Sequence, residues 1–121
     1  MPLTYRGRDS ELGTQISWLI GLLASPDVRD RDRGAEEIRD VAQVLSDAQV
    51  MALAGALVVL WLNEEEDVAR EAELSALTAL ANQAAIPLDV LAPLLQGQQR
   101  AKGSEIDYIL ELQEINRLRE A

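Results

Sequence analysis

From Val50 to Leu62 the chain runs for thirteen residues without a charged or polar side chain. A helix over this segment is apolar all the way round, and such a helix needs cover on several sides. A bilayer would supply that cover, but a span takes about 20 apolar residues, and runs of about 10–14 are more often core helices. Ser46 and Asp47 stand before the run as a helix start, and Asn63 with Glu64-Glu65-Glu66 closes it. The segment therefore predicts a central buried helix with other helices packed around it.

The flanking sequence supplies those helices. Apolar residues recur at helical spacing nearly everywhere, no stretch alternates with period two, and Gly and Pro fall at the joints. A first helix is expected from about Ser10 to Ala24, with Leu12, Ile16, Leu19, Ile20 and Leu23 inside and Ser25-Pro26-Asp27 ending it. A second follows from about Asp30 to Leu45. The apolar run is the third. A fourth runs from about Glu65 to Asn82, its inner face marked by Val68, Ala72, Ala76, Leu77 and Leu80. A short fifth opens at Pro87 and contains Pro93, and a sixth runs from Ser104, its expected cap, almost to Ala121. On the sixth, Ile106, Ile109 and Leu110 lie together, whereas Tyr108, Leu112 and Ile115 lie on another side. Either this helix is inserted between two neighbours, or one side waits for a partner chain.

The expectation is a single all-α domain over residues 1–121, with five to six helices. A hydrophobic content of 48% is enough for a core built from Leu, Ala, Val and Ile. With no Cys there is no disulfide or thiolate chemistry, and with no His the commonest general base and metal ligand is missing. The opening Met1-Pro2-Leu3-Thr4-Tyr5-Arg6 has no apolar stretch of the signal-peptide kind, which together with the missing cysteines leads to the expectation of a cytoplasmic protein. Ten Arg against one Lys, with abundant Ala, hints at a GC-rich bacterial source.

Two segments echo each other at an offset of 40 residues. Leu19, Ile20, Leu22, Asp27 and Val28 fall on Val59, Leu60, Leu62, Asp67 and Val68. Each copy is an apolar helix, a short polar turn, an Asp-Val pair and a second helix. Periods of about 40–47 with paired helices mark HEAT and armadillo arrays. Over roughly residues 10–84 the chain resembles a short HEAT-like repeat protein, and Asp67-Val68-Ala69-Arg70-Glu71-Ala72 with Ala76-Leu77 is the better match to the start of a HEAT second helix. The first copy departs from the pattern, because extra charged residues separate Asp27-Val28-Arg29 from Ala35. The resemblance implies antiparallel helix pairs stacked as a right-handed array, a protein-binding scaffold and no catalytic residues. A plain irregular bundle is the alternative.

Charge is the clearest functional signal. The formal net charge is −10, of which residues 46–96 carry −7, with Arg70 alone against eight acids. Such a field steers a basic partner and repels nucleic acid. The expected contact surface is the turn before the fourth helix and that helix's outer face: Glu64, Glu65, Glu66, Asp67, Arg70, Glu71 and Glu73. Part of the cluster also has a local cause, since acids in a first turn suit the helix dipole. Metal and cofactor sites are not expected. Asp27, Asp30, Asp32 and Gly34 fail the calcium-loop spacing and are interleaved with Arg29, Arg31 and Arg33. Consecutive acids such as Glu64 to Asp67 point apart on a helix. Trp18 and Trp61 read as core anchors. No enzymatic motif is present. The sharpest functional expectation is an acidic, immunity-type inhibitor of a basic toxin such as a nuclease. The alternative is an assembly module that homodimerises or docks through its sixth helix.

Overall fold

The computed structural model describes residues 15–120, and the expected start of the first helix at Ser10, with Leu12, lies outside them. The described chain is all helix and turn. Helix α1 covers residues 15–23. It is followed by α2 (Val28–Val41), α3 (Asp47–Asn63), α4 (Asp67–Gln83), α5 (Leu88–Gln96) and α6 (Ser104–Glu120), with short 3-10 turns at Ala42–Val44 and Gln98–Arg100. The caps are local chemistry. Asp27 accepts from the Arg29 amide at the start of α2. Ser46 and Gln49 form a reciprocal capping box on α3. Helix α6 starts at Ser104 itself rather than after it. Gly103 ahead of it adopts φ of 60°, a left-handed conformation that glycine takes without strain, and its carbonyl accepts from the Ile106 amide.

The helices pack in two layers. Helix α3 lies against α4 and α5, while α4 lies against α2, α3 and α6. Even-numbered helices thus form one layer and α3 with α5 belong to the other. The core between them is Leu, Ile, Val and Ala around Trp61, which is fully buried. Gly34 marks a close helix crossing, since a β-carbon there would stand 2.9 Å from Leu22 Cβ.

The internal echo is real in the core but shifted by one residue. Ala35 and Ile38 on α2 and Ala42 in the 3-10 turn that follows it are buried where Leu74, Leu77 and Ala81 are buried on α4. Those positions are 39 apart, not 40. Burial corrects two expectations. Val68, read as an inner residue, is 62% exposed, because the buried face of α4 is centred on Arg70, Glu73, Leu74 and Leu77. Trp18 is 41% exposed, with the Arg33 guanidinium carbon 5.0 Å from its ring centroid, so it is a surface cation–π partner rather than a core anchor.

Helix α3 also departs from expectation. Its inner side (Val50, Leu53, Ala54, Leu57, Val58, Trp61) is buried, but Met51 and Val59 are exposed and Gly55 and Ala56 only partly covered. The described residues cover one side of a helix that is apolar on all sides. Helix α6 divides likewise: Ile109 and Leu112 are buried, Tyr108 and Ile115 partly so, and Ile106, Leu110 and Leu118 are exposed.

Candidate functional site

The acidic cluster of the sequence does not form one surface. Glu64, Arg70 and Glu73 are buried, at 3%, 5% and 0% exposure, which corrects their assignment to a contact surface. Glu65, Glu66, Asp67 and Glu71 are exposed.

The buried members belong to a polar ladder between helix pairs. Arg31 on α2 donates through Nε and Nη2 to the two carboxylate oxygens of Glu64, at 2.7 and 2.9 Å. Its Nη1 donates to the Ser25 and Pro26 carbonyls of its own hairpin. One repeat further on, Arg70 donates through Nε and Nη2 to Glu105 Oε1, at 3.1 and 2.8 Å. Its Nη1 donates to the Glu64 carbonyl of its own hairpin, and its Nη2 also to the Arg100 carbonyl. Each arginine therefore ties its own loop to a carboxylate of the next pair. The equivalent position on α6 is Ile109, buried and apolar, so the ladder stops at the last pair. Trp61 Nε1 donates to the same Glu105 oxygen at 3.0 Å, and the guanidinium carbons of Arg70 and Arg100 lie 5.0 and 5.4 Å from the Trp61 ring centroid. Buried charges of this kind persist only when paired and hydrogen-bonded.

Glu73 is the exception. Neither of its carboxyl oxygens accepts a hydrogen bond, and the groups around it are Glu64, Arg31 and Arg70. Burial, then the hydrogen bond to Glu64 and the charge on Glu64, push its pKa up to about 10. Glu73 is therefore a neutral acid at pH 7, and its O–H donates to Glu64. Burial opposes the charge on Glu64, but hydrogen bonds from Arg31, from Glu73 and from the Glu66 amide outweigh it and hold that carboxyl down to about 2. A displaced carboxyl pair is also a mark of catalytic sites. Here Glu73 is sealed in the core and lines none of the described grooves.

The exposed acids fall on separate surfaces. Glu71 joins Asp32 and Glu36 around a groove of about 210 Å³ that crosses α2, α4 and α6, with Arg39, Val68 and Tyr108 also in its walls. Among the described residues none of these three carboxylates has a basic side chain within 4.0 Å. Asp67 pairs with Lys102 at 3.0 Å across exposed surface. Glu65 and Glu66 stand at the hairpin tips, beside Ser25 and Asn63. Among the described residues no group of three acidic side chains converges as around a metal ion, and no helix is long and apolar enough to cross a membrane.

Sequence reasoning missed Glu105, Arg31 and Arg100 as structural charges, and Asp32 and Glu36 as groove residues. A signal for Glu105 was present: it shares a helix face with Ile109 and Leu112, at steps of four and three. Glu73 likewise shares a face with Ala76, Leu77 and Leu80. The fold and the ladder define a class, a two-layer stack of helix pairs pinned by arginines. No protein-family model, curated protein or solved structure matches this chain.

Proposed function

We propose that the chain is a short helical-repeat module that binds a basic protein, in its sharpest form an immunity-type inhibitor of a basic toxin such as a nuclease. The observation that supports this reading is the groove across α2, α4 and α6. Asp32, Glu36 and Glu71 frame it without ion-pair partners among the described residues, and Val68 and Tyr108 add apolar contact. A lysine or arginine entering between the carboxylates meets unpaired negative charge, and aromatic or aliphatic surface beside it can be desolvated. The ladder ties α2 to the α3–α4 turn and α4 to α6, the helices that carry the groove, and a held spacing lowers the ordering cost of binding.

The test compares the full chain with the isosteric variant Asp32→Asn/Glu36→Gln/Glu71→Gln as bait in a low-salt lysate of the source organism. The wild-type chain should retain a basic protein that the variant does not. Its association rate should fall steeply as salt rises from about 0.01 to about 0.15 M, because the screening length shrinks from about 30 to about 8 Å. Equal retention by both baits would overturn the surface.

A second reading, an assembly module, is favoured by the exposed Ile106, Leu110 and Leu118 on α6. Sedimentation at several concentrations decides it. A dimer abolished by Leu110→Glu supports assembly, and a monomer throughout removes it.

A further inference from the structure

The exposed side of α3 leads to a second surface, on the layer opposite the acidic groove. Between α1 and α3 runs a trough of about 450 Å³ walled by Ile20, Leu23, Val59 and Leu60 and floored by Ala24, Gly55 and Ala56. Its lining is almost wholly apolar, and Val59 is 62% exposed. At the hairpin tips it continues into a second hollow of about 380 Å³, with Leu23, Ala24 and Leu60 common to both. That end is polar and acidic. Glu65 and Glu66 line it with Ser25 and Asn63, while Arg31, also in the lining, is committed to the Glu64 carboxylate. Among the described residues neither Glu65 nor Glu66 has a basic side chain within 4.0 Å.

We infer that this trough is a docking site for an amphipathic helix of a partner protein, with apolar side chains along the trough and Arg or Lys at the end over Glu65 and Glu66. The geometry fits a helix. From Gly55 to Asn63 the trough follows α3 for about 12 Å, two turns of a facing helix. Small residues along the floor admit a close backbone approach, and Ile20 and Val59 flank an incoming stripe at i, i+4 and i+7. The charge asymmetry sets the direction. A helix laid the other way would leave its cations beside Ile20 and Gly55 and its apolar end against two carboxylates. It also accounts for the apolar outer face of α3, of which the described residues bury only the inner side: that face is covered in the complex.

Gly55 permits a clean test. A β-carbon there meets nothing within 4 Å, and leucine is a better helix former than glycine, so Gly55→Leu puts a side chain into the trough from a backbone position that accepts one. A library of helical peptides, randomised at every position, is selected by display on the full wild-type chain. The enriched peptides are then titrated by fluorescence anisotropy against wild type, Gly55→Leu and Glu65→Lys/Glu66→Lys. Urea unfolding checks that both variants are as stable as wild type. Enriched sequences should carry an apolar stripe ending in Arg or Lys. Their affinity should fall about tenfold with either variant, as expected when a central apolar pocket or its charge partner is lost. Peptides indifferent to Gly55→Leu would overturn the site, and peptides sensitive to it but lacking basic residues would overturn the charge assignment. A concentration-dependent dimer of the full chain that Gly55→Leu dissociates would make the occupant a second copy and overturn the partner assignment. The groove of Asp32, Glu36 and Glu71 shares no residue with this trough, so the two surfaces succeed or fail separately.

Discussion

Replacing Glu73 with glutamine should stabilise the protein at neutral pH and abolish most of its pH dependence. In the folded state the acid sits at about 10, against an ordinary value of 4.5. Between those two values the folded chain holds a proton that the unfolded chain releases. Stability therefore falls as pH rises, by about 1.4 kcal/mol per unit at most. At pH 7 the deficit relative to pH 4.5 is about 3 kcal/mol for this one group. Glutamine has nearly the same shape, cannot ionise, and can donate its amide N–H to Glu64 where the acid donated its O–H. Glu64 has the opposite sign. Held down at about 2, it adds stability above pH 4.5 that is lost as pH falls toward 2. The pair thus places the stability maximum on the acid side of neutrality, near pH 5. The measurement is urea unfolding at intervals from pH 6 to pH 8, a window kept clear by the absence of His and Cys. Wild type should lose about 1 kcal/mol or more per unit across it, and Glu73→Gln should be nearly flat. A flat wild-type profile would refute the protonated acid. So would a variant that keeps the slope, or one that is about 1 kcal/mol or more less stable at pH 7, because then Glu73 would be serving its neighbours as an anion.

The ladder and the helix crossing give further expectations. Arg70→Met leaves Glu105 buried without its cation and should cost about 3–5 kcal/mol in urea unfolding, with altered Trp61 emission. Arg70→Met/Glu105→Met should recover much of that loss, since removing both charges also removes their desolvation; a loss under about 1 kcal/mol for the single variant would mean that the pair is not sealed from water. Gly34→Ala should be destabilising by about 1–2 kcal/mol despite alanine's better helix propensity, because its methyl would meet Leu22 Cβ at 2.9 Å and force α1 away from α2. A gain in thermal midpoint for that variant would show that the crossing adjusts freely.

What the sequence determined by itself is the set of helices and their order. Local spacing of apolar residues, Ser46 with Gln49, Ser25-Pro26 and the glycine at 103 act within a turn or two, so their effect can be read without knowing the neighbours. The pairing echo was legible for the same reason, although its register was not. An offset of 40 matched letters, whereas burial matches at 39, because packing selects Arg31 and Arg70 rather than Asp27 and Asp67 as the equivalent residues. Only the tertiary structure decided which charges face water. Glu64 and Arg31 are 33 residues apart, and Glu105 and Arg70 are 35 apart. A carboxylate can enter a core only if a guanidinium arrives from another helix, and nothing local to Glu64 or Glu73 announces that arrival. The same holds for the outer face of α3, where composition demanded cover that the described helices do not provide.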